Sequence, residues 1–365
     1  MNNTATKSMR GGDIIGHKIF DEIISAKNIF RAWNQFKCGK LKKQDVAEFS
    51  INIEEALLQL SKDLSSGSYA HGPYKDFYIE DPKRRHIFKA MVIDRILNHA
   101  IFRVLEPIFD KKFIYDSYSS RIERGIHKAH ERFRQFAWKL SRNNTQTVWV
   151  LKCDIRKFFD SIDHSVLLKI ISKTIDDMKV IELLKSIIES HTTCPGKGIP
   201  MGNLTSQLFS NIYLDQLDQH IKINLKIKNY IRYADDFVIL SRDKEELLHY
   251  LSIIGIFLKE NLSLSLHPNK IITRKFNQGI DFLGYILFPH LTLLRTRTRR
   301  RMLKAIKILK IKYDSKEISE KAFNQSLASY LGMLKHCRSH KIKIQINDII
   351  SPKLLAPPGS YHSSS

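Results

Sequence analysis

Only four cysteines occur in 365 residues, at Cys38, Cys153, Cys194 and Cys337, and none forms a CxxC pair. Their spacing argues against a disulfide framework and against a cysteine-based zinc site. Histidine does not supply a structural metal site either. His336 and His340 lie four apart, but no third and fourth ligand at metal-site spacing accompanies them. Apolar runs are short, and none approaches the roughly 18 to 20 residues needed to cross a bilayer. The first residues, MNNTATKSMRGGD, lack the apolar core of a secretory signal. A cytoplasmic location without a membrane partner is the expectation. Acid is scarce relative to base: 37 Asp and Glu face 60 Lys and Arg, a formal net charge of +23.

That surplus exceeds what solubility needs. It points to a polyanionic partner, with nucleic acid first and an anionic membrane surface second. With 43% hydrophobic and 27% charged residues the composition is globular. The length allows one large domain, or two to three subdomains that share an interior.

Hydrophobic periodicity places helices over residues 51–64, 90–109, 126–142, 164–189, 203–226 and 244–261. Residues 19–49 read as a helix, a turn at Gly39 and a basic connection. Short extended segments at 77–79 and 86–88 flank DPKRR and read as a hairpin. Residues 147–153 form a strong β run, 231–240 a hairpin, and 271–273 and 282–287 the last strands. Beyond Arg295 the chain is helical and basic to about residue 350, and a Pro, Gly and Ser rich tail follows. The fold class is α+β with an all-helical C-terminal unit.

Two acidic sites stand out. The apolar run Val150-Leu151-Lys152-Cys153 ends at Asp154. Tyr233-Ala234-Asp235-Asp236 puts adjacent carboxylates in a tight turn between apolar strands. Such a pair costs stability through like-charge repulsion. A turn alone needs one Asp, so the doubled acid is better explained by a divalent cation, which takes hard oxygen ligands. Taken alone, the pair is also compatible with a generic acidic turn. Asp160 and Asp163 read as local caps for the helix that starts near His164.

Several segments in order carry a family likeness. YIRYADDFVIL resembles the catalytic hairpin of reverse transcriptases, and LKCDIRKFFDSIDHSVL their first-aspartate motif. GIPMGNLTSQLFSNIYLDQLD resembles the motif between them that positions template and nucleotide. FLGYILFPH resembles the primer-grip hairpin, and GPYKDFYIEDPKRRHIFKAMVIDRILNHAI the fingers. SYLGMLKHCRSHK is similar to a thumb segment of prokaryotic members. The likeness covers most of residues 20–345. It implies a right-hand polymerase fold: a helical extension at 1–50, fingers at 51–145, a palm at 146–290 with part of the fingers inserted, a basic helical thumb at 291–350 and a disordered tail at 351–365.

The resemblance also implies a chemistry. Transfer to a primer 3′-hydroxyl uses two Mg2+ ions, with Mn2+ as an alternative. Asp154 and Asp235 would bridge both ions, Asp236 would assist, and the Ile155 carbonyl would complete one coordination sphere. Lys270, in HPNK, would serve as general acid or as a plain phosphate contact. Phe159, five residues after Asp154, would close the pocket against a 2′-hydroxyl and select dNTPs; packing in the core is the other reading for Phe158 and Phe159. Arg84 or Arg85, with Lys83 beside them, would close on the triphosphate, and Arg95 would support template or nucleotide. Pro200 and Met201 would lie under the nascent base pair, with Gly198 and Gly202 allowing close backbone approach. Asn203, Ser206 and Gln207 would contact template or nucleotide. Arg232 would touch the nucleic-acid backbone. Gly284 and Tyr285 belong to the primer grip. Arg295, Arg297, Arg299, Arg300 and Arg301, with no nearby acids to pair with, would track the phosphates of an RNA–DNA hybrid.

Within the family, GNLTSQ behind an apolar residue resembles diversity-generating retroelement enzymes, error-prone copyists of a template RNA. That branch implies a structured RNA and a small basic accessory protein as partners. Stand-alone reverse transcriptases of antiviral defence share the framework. A non-catalytic RNA-binding protein would account for the charge, but it would not need the three aspartates.

Overall fold

The computed structural model describes residues 19–80 and 84–351. Lys83 and the tail beyond residue 351 therefore lie outside the described residues. The helices are α1 (Ile19–Ile24), α2 (Ala26–Phe36), α3 (Gln44–Phe49), α4 (Ile53–Ser66), α5 (Val92–Asp110), α6 (Ile126–Leu140), α7 (Phe158–Ser161), α8 (His164–Ser172), α9 (Met178–Glu189), α10 (Leu204–Gln219), α11 (Lys244–Leu262), α12 (Thr296–Asp314), α13 (Glu320–Leu334) and α14 (His340–Ile350). The strands are β1 (Lys75–Ile79), β2 (Arg85–Lys89), β3 (Trp149–Asp154), β4 (Tyr230–Tyr233), β5 (Asp236–Ser241), β6 (Ile272–Lys275), β7 (Ile280–Phe282), β8 (Tyr285–Leu287) and β9 (Thr292–Leu294). They form three sheets: β1-β2, β4-β5-β3-β6 and β7-β8-β9. This is the mixed α/β arrangement expected, consistent with a fingers, palm and thumb polymerase. Among the described residues no helix is long and apolar enough to cross a membrane.

The chain divides into two units. One holds residues 1–125, 152–239 and 248–271. Its helix α10 is buried on nearly every side, including the polar Thr205, Ser206, Asn211, Asp215 and Asp218. Buried polar groups need partners, and α10 finds several: Thr205 donates to Asn98 Oδ1 on α5 at 3.1 Å. Helix α2 lies on α5, where the buried Asn28 amide donates to the Ala100 carbonyl at 3.1 Å.

The other unit holds residues 126–151, 240–247 and 272–365. Here Phe133 of α6 packs against Phe276 and Phe282. His130 meets the Phe282 carbonyl at 3.1 Å.

Several elements differ from the periodicity reading. Residues 19–49, read as one helix, a turn and a basic connection, form α1, α2 and α3. Residues 164–189 form two helices: α8 ends at Ser172, and Asp177 caps α9, accepting from Lys179 and Val180 N–H. Residues 282–287 are a hairpin, since Leu283 and Gly284 both take positive φ (49° and 89°), as a two-residue turn of this hand requires. Phe158 and Phe159 lie on the short helix α7. Asp163 caps α8 through Ser165 N–H (3.0 Å) and Val166 N–H (3.2 Å). Asp160 instead offers its carbonyl to Thr193.

Candidate active site

Strands β4 and β5 pair antiparallel with Tyr233 opposite Asp236, so Ala234 and Asp235 form a two-residue turn. Ala234 has φ of 53°. A positive φ at the first turn position is where glycine is normally used. A side chain there carries strain, so something must hold the turn. One restraint is the Asp235 carbonyl, which accepts from Ile155 N–H at 3.2 Å. That bond ties the turn to the residue after Asp154, at the end of neighbouring β3.

The three carboxylates are thereby brought together electrostatically. Burial, followed by the charges of Asp236 and Asp154, pushes Asp235 up to about 6. Burial also raises Asp236; the charge of Asp154 adds to this, while Lys152 and Lys270 oppose it. Lys270 Nζ stands 2.6 Å from Asp154 Oδ1, and Lys152 Nζ lies 3.9 Å from Asp236 Oδ1. The donor set is all hard oxygen and repels itself, which suits a divalent cation. As the side chains stand, no group of three or more His, Cys, Asp or Glu among the described residues is gathered closely enough to hold a metal ion. Two ammonium groups supply the countercharge. Lys152 was not anticipated, although strand alternation puts it on the same face as Asp154.

The middle motif lies beside this centre. Ile199 N–H donates to the Phe159 carbonyl at 2.9 Å, and Phe88 N–H of β2 donates to the Met201 carbonyl at 3.2 Å. Phe158 is buried in the core and Phe159 is half-exposed. Pro200 is buried and Met201 half-buried. Gly202 has φ of 115°, a conformation that side chains disfavour, and a Cβ there would also come within 3.1 Å of Ile87 Cγ2. Gln207 is exposed, while Asn203 and Ser206 are buried. Arg84 and Arg85 are exposed; Arg84 lies over the Tyr78 ring, 4.2 Å from its centroid.

Some expectations need correction. Arg232 is fully buried and ion-paired to Asp218 at 2.6 Å, so it has no surface to offer a phosphate. Arg95 is engaged by Asp45, which also binds Lys89 at 2.7 Å, and its guanidinium lies over Phe36. In the second unit Tyr285 is buried and its hydroxyl donates to the Met333 carbonyl at 3.0 Å, beside Gly284 in the turn. Arg295 is paired with Asp281, its Nε donating at 2.7 Å. The run is therefore not free of acids. Arg297, Arg299, Arg300 and Arg301 lie on the first turns of α12, with Arg297, Arg300 and Arg301 exposed and Arg299 half-buried.

Comparison with known proteins bears on the family. A family model described as reverse transcriptase (RNA-dependent DNA polymerase) matches residues 80–287, more than half the chain. The protein YkfC of Escherichia coli is 28% identical over 285 residues, covering 66% of this chain and 72% of that protein. The group II intron-encoded protein LtrA of Lactococcus lactis is 24% identical over 306 residues, covering 64% of this chain and 49% of LtrA. Putative COX1/OXI3 intron 2 protein of Saccharomyces cerevisiae is 23% identical, and the chain spans only 39% of it.

Proposed function

The chain belongs to the reverse transcriptase family, and from that premise we propose that it joins dNTPs to a primer end on an RNA template, yielding cDNA or an RNA–DNA hybrid. The observation that carries this reading is the Ile155–Asp235 hydrogen bond, which sets the Asp154 and Asp235–Asp236 carboxylates against one another. When bound by Asp154, Asp235, Asp236 and the Ile155 carbonyl, Mg2+ (or Mn2+) would lower the pKa of the primer hydroxyl and neutralise departing pyrophosphate. The chain's own groups do the rest. Lys270 offsets the carboxylate charge and offers a proton to the leaving group. Arg84 and Arg85 bind the triphosphate, and Gln207 contacts nucleotide or template. The half-exposed Phe159 ring would close the pocket against a 2′-hydroxyl. The α12 arginines bind duplex phosphates without reading sequence.

The finer reading is the error-prone enzyme of a diversity-generating retroelement, supported by GNLTSQ and by the apolar Met201. Relatives named for introns favour an intron-type reverse transcriptase. One experiment separates these readings: sequencing the RNA that copurifies with the protein and the cDNA made from it, with Asp235→Ala alongside. Errors concentrated opposite template adenines, absent from the variant, support the retroelement reading. Faithful copying of an intron RNA supports the intron type, and faithful copying of other RNA a defence enzyme. DNA synthesis that persists in the variant rejects the proposed centre.

A further inference from the structure

Arg232 has no exposed surface, yet its guanidinium is almost fully bonded. Nε donates to both Asp218 oxygens, at 2.8 and 3.0 Å, and Nη2 to Asp218 Oδ2 at 2.6 Å. The same Nη2 reaches Ser117 Oγ at 3.0 Å. Nη1 donates to Asn211 Oδ1 and to the Ala234 carbonyl, both at 3.2 Å. The Arg232 backbone is fixed as well: its N–H donates to the Asp116 carbonyl and its carbonyl accepts from Tyr118 N–H, each at 3.0 Å. Tyr230 adds a 2.7 Å bond to Asp218.

Three parts of the molecule meet at this one side chain. Asp218 and Asn211 lie on α10, the helix that follows Met201 and Gly202 directly. Ser117 lies in the loop after α5. Ala234 is the left-handed residue immediately before Asp235. An ion pair for stability alone would need only Asp218, and an apolar pair of similar volume would often serve as well. The bond to the Ala234 carbonyl has a different consequence. The turn is restrained on one side by Ile155 N–H and on the other by Arg232 Nη1. Without the second restraint, a strained alanine is free to relax, and the direction of the Asp235 and Asp236 side chains changes with it.

We propose that Arg232 is a positioning residue for catalysis: it locks the Ala234–Asp235 turn to α10, so that the acidic pair and the nucleotide-side motif share one rigid frame. This rests on the polymerase reading above. The expected signature is a loss in kcat with little change in KM for dNTP, because the buried Arg232 side chain does not touch the nucleotide.

The test uses the full chain and steady-state primer extension on an RNA template, with thermal melting beside it. Arg232→Lys keeps the buried charge but cannot reach Asp218, Asn211 and Ala234 together. The pair Arg232→Met with Asp218→Asn removes both charges and leaves an acceptor for Tyr230. For whichever variant melts within a few degrees of the natural protein, the expected result is a fall in kcat of about 30-fold or more at KM within about twofold. A variant that melts normally and keeps its kcat overturns the proposal. So does a loss of activity that only tracks the folded fraction across both variants. If the unaltered protein makes no DNA, the polymerase reading itself fails, whatever the variants do.

Discussion

The hairpins β1–β2 and β4–β5 are both antiparallel pairs, and they are built in opposite ways. Every residue of β1 is exposed, and β2 is exposed or half-buried throughout. In β4–β5 only Tyr233 and Asp236, next to the turn, escape burial. The first hairpin presents Arg84 and Arg85 to solvent, with Tyr78 stacked on His86 at 4.4 Å. The second buries Arg232 and holds its turn from two sides. On the proposed function the two need different charge: binding a mobile triphosphate requires reachable charge, whereas placing reactive oxygens requires fixed charge. Substitutions in the two hairpins should therefore separate binding from chemistry and stability.

The largest effect is expected at the buried turn. Asp235→Asn should lower kcat on the order of 10³-fold or more, because several kcal/mol of charge stabilisation are lost. Melting should hold or improve, since a repelling carboxylate is gone. Arg232→Ala should cost about 3–5 kcal/mol of stability by stranding Asp218 in the interior, seen as a lower denaturant midpoint. At the exposed hairpin, Arg85→Ala should raise KM for dNTP about tenfold through a missing charge-assisted bond, with melting unchanged. If the Arg85 variant instead melts early, or the Arg232 variant changes only KM, the contrast between the hairpins collapses.

A smaller effect concerns pH. Asp215 on α10 is held at about 7, mainly by burial and next by the charge of Asp218. A carboxyl that binds its proton more tightly when folded contributes stability below its unfolded pKa near 4 and loses it as pH rises through 7. Asp215→Asn should flatten that part of the stability profile, measured by denaturation between pH 5 and pH 8. An unchanged slope would show that Asp215 is solvated in the native protein.

Legibility in the sequence followed distance along the chain. The Asp154 strand end and the Asp235–Asp236 turn were readable because each is a local pattern of apolar strand and acid. The β1–β2 hairpin was readable for the same reason. Arg232 was misread because its partners Asp218, Asn211 and Ser117 are 14, 21 and 115 residues away, and a lone arginine before an acidic turn looks like a surface cation. Arg295 was misread in the same way, since Asp281 lies 14 residues upstream. The break between α8 and α9 was hidden by apolar periodicity on both sides, although Asp177 carried the capping signal. Lys152 was readable from strand alternation and was missed.

Asp154, Asp235 and Asp236 are the proposed catalytic centre for DNA synthesis on RNA. The most direct measurement is primer extension with dNTPs on a defined RNA template in Mg2+, comparing the unaltered chain with Asp235→Asn at matched thermal stability. Template-dependent DNA from the unaltered chain, and none above background from the variant, is the predicted result. Equal synthesis by both proteins, or none by a folded, unaltered chain that still binds RNA, would contradict it.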